Sequence, residues 1–143
     1  MFKRISTRFA VRFTPIVAVF ALIFAPVSAQ ASATGCAGGN PSWGPTTYCV
    51  TLDGTGTYVR TVTGTWRGSG FACDSYITAE FFDVYWNWYQ TKRSATQWGC
   101  ATGSSAAIGI WSNKWPGYMC STLHYHLPGS TTDRRMSVCH SIR

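Results

Sequence analysis

Two stretches near the end of the chain decide the fold class: residues 118–127 read YMCSTLHYHL and residues 134–142 read RRMSVCHSI. Both alternate apolar and polar residues, which is the pattern of a β-strand with one buried face. Pro128-Gly129-Ser130 lies between them and predicts a turn. The two stretches therefore predict an antiparallel hairpin, and Cys120 opposite Cys139 would set its register.

This register divides the hairpin into two faces, because side chains alternate along a strand. The expected core face contains Met119, Ser121, Leu123, Tyr125, Arg134, Met136, Val138 and His140. The expected outward, polar face contains Cys120, Thr122, His124, His126, Asp133, Arg135, Ser137 and Cys139. A slip of one residue would exchange the faces, and the buried apolar set should forbid it.

The rest of the chain has the same character. Turn residues separate further apolar runs rich in Thr, Val, Tyr and Trp, and no amphipathic helix is evident. The additional predicted strands cover 47–52, 57–63, 74–82, 88–92 and 105–112. The sequence therefore predicts an all-β fold, a small antiparallel β-sandwich or barrel of about seven strands with three disulfides.

The cysteine count supports the disulfides. Six cysteines follow an export signal, and an even number in a small exported chain indicates oxidised pairs. Six cysteines allow fifteen pairings. Each neighbouring pair brackets one turn-rich centre, which favours the pairs Cys36–Cys49, Cys73–Cys100 and Cys120–Cys139. Ligation of a metal by thiolates is disfavoured, since no pair has C-x-x-C spacing.

Residues 1–31 have the three zones of a cleaved secretory signal: a basic start, the apolar run 16–24 and a close rich in small residues. The apolar run is too short to span a bilayer, which takes about 20 residues. Residues 32–143 then form a single domain. The protein is expected to be secreted and extracellular, without stable membrane insertion.

Charge is a weak argument both for nucleic acid and for an anionic membrane as the partner, and it leaves only a weak attraction to the acidic head groups of a cell envelope. The chain has 12 Lys and Arg against 5 Asp and Glu, but four of the basic residues lie in the signal. The remaining net charge of +3 is ordinary for a small domain, and no basic run of five residues exists.

No motif indicates catalysis or a cofactor. There is no G-x-S-x-G, and oxidation leaves no free thiol. His124 and His126 point the same way on one strand, with Asp133 expected to face His126, but this set is small for a metal site. Glu80 is interpreted as a cross-strand partner of Arg60 or Arg67. We therefore expect a protein that is not an enzyme and that needs neither metal nor cofactor.

Asp83 is interpreted as a turn former, since Asp side chains accept hydrogen bonds from nearby backbone groups. It lies within the densest aromatic stretch, residues 81–89.

The aromatic content is the more unusual feature. All seven Trp and seven Tyr lie after the signal, and rings in turns are suited to binding. Core positions are expected for Trp66, Trp88 and Trp111. The candidate binding residues are Trp43, Tyr85, Trp86, Lys92, Arg93, Lys114 and Trp115.

Three short stretches, Gly64-Thr65-Trp66, Asn87-Trp88-Tyr89 and Lys92-Arg93-Ser94-Ala95-Thr96, resemble the lactococcin-type bacteriocin family. The resemblance implies a small exported β-sandwich protein that acts on the envelope of competing bacteria. It assigns no role to an individual residue.

The function predicted from the sequence is that of a secreted, non-enzymatic binding protein. Its most concrete form is an antibacterial effector, or a subunit or adaptor of a secreted toxin assembly, with a protein or cell-envelope component as partner. One alternative is an inhibitor of a foreign protease or amylase that presents the loop between Cys36 and Cys49, since a rigid loop lowers the cost of binding. Further alternatives are a carbohydrate-binding or cell-wall-binding module and a small hydrolase that uses Glu80 or the histidine pair.

Overall fold

The computed structural model describes residues 32–39 and 44–143. The predicted signal, residues 1–31, and Trp43 lie outside this part of the chain. The described residues form seven strands and no helix: β1 (Ala33–Gly38), β2 (Thr47–Thr55), β3 (Tyr58–Asp83), β4 (Trp88–Arg93), β5 (Gln97–Asn113), β6 (Gly117–His126) and β7 (Arg134–Ile142). The all-β prediction is confirmed.

The long strand β3 organises the sheet. All pairs are antiparallel, in the order β1-β2-β3-β6-β7, and β4 and β5 also pair with β3. The first half of β3 lies between β2 and β5, whereas its second half lies between β6 and β4. His140 Nε2 of β7 lies 3.2 Å from the carbonyl oxygen of Val50 in β2, so the sheet nearly closes on itself like a barrel.

The strands predicted over 57–63 and 74–82 are one strand of 26 residues. The glycines between them predict a turn, yet they serve close packing. A Cβ at Gly70 would lie 2.5 Å from the carbonyl oxygen of Gly44, and one at Gly68 would contact the backbone of Thr46. Only glycine lets two backbones approach this closely.

The last hairpin has the predicted register. Cys120 lies opposite Cys139, Met119 opposite His140 and Leu123 opposite Met136. The predicted outward face was wrong in part, because Cys120, Thr122 and His124 are buried. The reason is that side chains of the neighbouring strands cover this face: Tyr76 of β3 stacks on His124, and Ser137 of β7 bonds Thr122.

The three disulfides are Cys36–Cys49, Cys73–Cys100 and Cys120–Cys139, as the turn placement predicts. In each, the two residues lie directly opposite each other on neighbouring strands. The described part of the chain contains no free cysteine. Such disulfides are typical of extracellular proteins.

The core lies between the facing halves of the curved sheet and includes Tyr48, Trp66, Phe81, Met119 and Leu123, all fully buried. The core position predicted for Trp66 is confirmed. The core positions predicted for Trp88 and Trp111 were wrong, since these side chains are 61% and 64% exposed. Both lie at the edge of the sheet, on β4 and β5, which pair with β3 alone.

Candidate functional site

Two turns meet at one end of the molecule. The turn between β3 and β4 adjoins the turn between β5 and β6, because Asp83 lies opposite Gly117 and Phe82 opposite both Tyr118 and Trp88. We define the aromatic tip as the aromatic and apolar side chains that these turns carry, namely Val84, Tyr85, Trp86, Trp88, Trp115 and Tyr118. Residues far apart in the sequence thus form one surface.

Asp83 holds the first turn, as its interpretation as a turn former requires. Its Oδ1 accepts hydrogen bonds from the backbone N–H groups of Tyr85 (2.8 Å) and Asn87 (2.9 Å). Its Oδ2 accepts a bond from Asn87 Nδ2 at 2.9 Å. These bonds, led by that from the Asn87 side chain, lower the pKa of the Asp83 carboxyl.

Trp86 has a left-handed backbone, with φ of +65°. This conformation is uncommon outside glycine and Asn, Asp or His, and it costs about 1–2 kcal/mol. The Trp86 N–H donates to the Asp83 carbonyl oxygen at 3.1 Å. The turn therefore holds this bulky ring in a fixed position despite the strain.

The rings of the tip are exposed on both faces of the sheet end. Val84, Tyr85, Trp86, Trp88 and Trp115 are each more than half exposed. On one face Trp86 stacks on Tyr118, with ring centroids 4.0 Å apart. On the other face Trp115 packs against Tyr89, with centroids 4.7 Å apart.

A groove of about 200 Å³ runs beside the tip. Val84, Pro116 and Tyr118 line one side of it, and Ser141, Ile142 and Arg143 line the other. The tip therefore offers a concave apolar surface as well as protruding rings.

Lys114 directly precedes Trp115, and Lys92 of β4 lies near it. Lys114 is buried, and its ammonium donates to Gln90 Oε1 at 2.6 Å and lies 4.8 Å from the centre of the Phe81 ring. Burial lowers the pKa of Lys114, and the nearby charge of Lys92 lowers it further. Lys92 itself is exposed on β4.

The structure brings three of the seven predicted binding residues together. Tyr85, Trp86 and Trp115 are exposed in the tip, whereas Lys92 lies about 14 Å from Trp88 along β4. Arg93 is at the far end of β4, about 17 Å from Trp88 along the strand. It lies over the ring of Tyr76, at 3.7 Å from the centroid, and bonds Thr96. Lys114 is buried rather than exposed, and Trp43 lies outside the described residues.

Trp88, Val84 and Tyr118 belong to the tip although they were not among the predicted residues. Trp88 follows the turn directly, and its indole Nε1 donates to Thr91 Oγ1 at 2.9 Å. The position beside a predicted turn was the available signal for Trp88. The role of Tyr118 depends on a contact between distant parts of the chain, which sequence patterns do not reveal.

A polar network surrounds His124 on β6. Its Nδ1 lies 3.2 Å from Asp133 Oδ2, and its Nε2 lies 3.3 Å from Thr78 Oγ1. Tyr76 stacks on the imidazole at 4.6 Å. Asp133 also accepts a bond from Arg135 at 2.7 Å, and its pKa is lowered overall: burial raises it, whereas hydrogen bonds from Arg135 and His124 lower it.

The network corrects two predictions. Asp133 contacts His124 rather than His126. Arg60 pairs with Asp53 at 3.2 Å, whereas Glu80 lies on the other half of β3 opposite Thr91 and Cys120. Within residues 32–39 and 44–143, no group of three or more His, Cys, Asp or Glu side chains is placed to hold a metal ion.

A second, larger depression lies away from the tip. It has a volume of about 610 Å³ and is lined by Thr65, Arg67, Gly68 and residues 102–105. Its walls are small hydroxyl residues and glycines with a single cation. Ligand sites usually have a mainly apolar lining with a few convergent polar groups, and this depression lacks that lining.

In the part of the chain that the structure describes, no helix is long and apolar enough to cross a membrane. No protein-family model, curated protein or solved structure matches this chain.

Proposed function

We propose that this protein is a secreted, non-catalytic binding protein that contacts its target through the aromatic tip. In its most concrete form it is an antibacterial effector, or a subunit of a secreted toxin assembly, acting at the surface of another cell. The disulfides and the export signal support an extracellular location.

The observation that carries the proposal is the exposure of the tip. Tyr85 is 81% exposed, and four further apolar or aromatic side chains beside it are more than half exposed. Exposed apolar clusters on small proteins mark interaction sites, and Trp and Tyr contribute most of the binding energy at such sites. The turn bonds of Asp83 fix the backbone that carries Tyr85 and Trp86 before binding, which lowers the entropy cost of contact.

The resemblance to lactococcin-type bacteriocins agrees with this proposal, because it implies an exported protein that acts on the envelope of competing bacteria. The resemblance supports an action on a bacterial envelope, and the tip is the surface that would carry it out.

Capture experiments test the proposal. The immobilised oxidised protein is mixed with an envelope extract of a competing strain, and growth inhibition by the free protein is measured in parallel. Trp86→Ser combined with Trp115→Ser should abolish both capture and inhibition. Trp98→Ser is the matched control, because Trp98 is 83% exposed on β5, outside the two tip turns.

Two results would contradict the proposal. The first is that the tip variant keeps full capture and inhibition. The second is a hydrolytic activity of the wild-type protein that disappears in His124→Ala or Glu80→Gln, since a catalytic site would then explain the function.

A further inference from the structure

We infer that the aromatic tip docks on the interface of a lipid bilayer that carries anionic headgroups. This inference rests on the proposed function, because it names the target of the same surface. It concerns reversible docking of the two turns, with the rest of the sheet remaining in water.

The ring types fit this partner. The most exposed aromatic side chains of the tip are Tyr85, Trp86, Trp88 and Trp115. Trp and Tyr are enriched where membranes meet water, because an apolar ring with one polar atom matches the headgroup level. Trp86 stacks on Tyr118 and contacts Phe82, and Trp115 packs against Tyr89, so these two rings lose little side-chain entropy on docking.

In the turn between β3 and β4, backbone N–H groups are already hydrogen-bonded within the protein, which suits contact with a surface poor in water. Transfer of an unpaired N–H or C=O group into an apolar medium costs several kcal/mol. Here the N–H groups of Asp83, Tyr85, Trp86 and Asn87 all donate within the turn. The Trp88 indole N–H is also paired, with Thr91. The turn can therefore enter the headgroup region at low desolvation cost.

The charges favour anionic lipids. Asp83 is the only acid within the two turns, and both of its oxygens accept hydrogen bonds there. Lys114 directly precedes Trp115 and lies near Lys92 of β4, and Arg143 lines the groove beside Val84. A basic side chain near an anionic bilayer contributes about 1 kcal/mol.

The shape favours a fluid interface over a protein surface. Trp86 lies with Tyr118 on the face of the sheet end that carries Phe82, whereas Trp115 lies with Tyr89 on the face that carries Phe81. A rigid partner would need a deep socket to reach both sets of rings. Lipid headgroups part around a protruding end and contact both faces at once, and the groove lined by Val84, Pro116 and Ile142 accommodates an acyl segment.

Vesicle sedimentation tests the inference with the oxidised protein. One vesicle set contains phosphatidylcholine alone and the other contains phosphatidylcholine with phosphatidylglycerol. The wild-type protein should sediment with the mixed vesicles, bind less to phosphatidylcholine alone and lose affinity in high salt. Its tryptophan emission should shift to shorter wavelength on binding.

Variants localise the contact. Trp86→Ser with Trp115→Ser should reduce vesicle affinity at least about tenfold, given the area that two rings bury. Trp98→Ser should bind like the wild type. Lys92→Gln should weaken binding to the mixed vesicles only. Circular dichroism of each variant shows that it is folded.

Three outcomes would overturn the inference: no sedimentation with either vesicle set, equal affinity for both sets, or an equal loss in the Trp98 variant. The proposed function is decided by a separate result, the capture experiment. If vesicles fail but the tip variant still loses capture of an envelope protein, the tip is a binding site and its partner is a protein. If the tip variant keeps full capture, the proposed function fails whatever the vesicles show.

Discussion

The indole of Trp86 lies parallel to the phenol ring of Tyr118, with planes 9° apart and centroids 4.0 Å apart. The backbone of Trp86 is left-handed at φ +65°. Trp86 thus combines a stabilising ring contact with a strained backbone, and two different substitutions can separate these effects on stability.

Trp86→Gly should leave the free energy of unfolding within about 1 kcal/mol of the wild type. The loss of the stack, about 0.5–1.5 kcal/mol, is offset by relief of the backbone strain of about 1–2 kcal/mol. Trp86→Ala loses the stack and keeps the strain, so it should be less stable by about 1 kcal/mol. Urea unfolding of the three proteins measures both effects, and equal loss in the Gly and Ala variants would show that the strain is absent.

Lys114→Met should leave the stability unchanged or raise it, because it removes a buried charge that has no carboxylate within hydrogen-bond distance among the described residues. Gln90→Leu should lower the stability by about 1.5–3 kcal/mol, because the ammonium then loses its acceptor. The double variant provides the control. In the Lys114→Met background, Gln90→Leu should cost much less, and an undiminished cost in the urea midpoint would refute the coupling.

The free energy of unfolding should decrease at alkaline pH because Tyr48 is buried. Burial raises the pKa of its phenol from 10.0 to about 12, although the bond with Ser121 lowers it in part. A raised pKa means that the folded state keeps a proton which the unfolded state releases. The protonated Tyr48 phenol therefore makes its full contribution to the free energy of unfolding below pH 10. This contribution decreases by about 2–3 kcal/mol between pH 10 and about 12.

Unfolding in urea at pH 9 and at pH 11.5 measures this decrease for the wild type and for Tyr48→Phe. The difference between the two proteins isolates Tyr48, since other groups titrate in both. Tyr48→Phe should also cost about 1–3 kcal/mol at neutral pH, because the Ser121 hydroxyl, 2.7 Å from the phenol oxygen, loses its buried partner. A pH dependence that is the same in both proteins would exclude this role.

Removal of one disulfide should lower the free energy of unfolding by about 3–4 kcal/mol according to the loop-entropy account. The Cys73–Cys100 pair closes the longest loop, with a sequence separation of 27, against 13 for Cys36–Cys49. Cys73→Ala with Cys100→Ala should therefore be slightly the more damaging double substitution. Guanidinium unfolding of both variants measures the order, and the reverse order would show that native contacts outweigh loop length.

The hairpin of β6 and β7 is the part of the fold that the sequence predicts best. An apolar alternation and one cysteine in each strand specify the same register, so two independent signals agree. Strand β1 was not predicted, since ATGCAG has neither a large apolar residue nor a periodicity. The continuity of β3 through Gly68 and Gly70 was missed because a glycine that packs against a backbone looks like a glycine in a turn.

The candidate site was likewise predicted from the sequence only in part. Turn chemistry identified Asp83, Tyr85 and Trp86 before any contact was known. The exposure of Trp88 and Trp111 depends on which strands end the sheet, and strand order follows from long-range pairing that no local pattern contains. The burial of Lys114 follows from its contacts with Gln90 and Phe81, two residues of other strands.

The placement of the disulfides limits which edge strands can leave the sheet. In the described chain four strands, β1, β4, β5 and β7, pair along one side only. Three of them are joined covalently to the strand they pair with. An oxidised molecule therefore cannot exchange β1, β5 or β7 with a second copy. Of these four strands, only β4 is held to its neighbour by non-covalent contacts alone. The edge strand that can detach from the sheet of an oxidised molecule is therefore the one that carries Trp88.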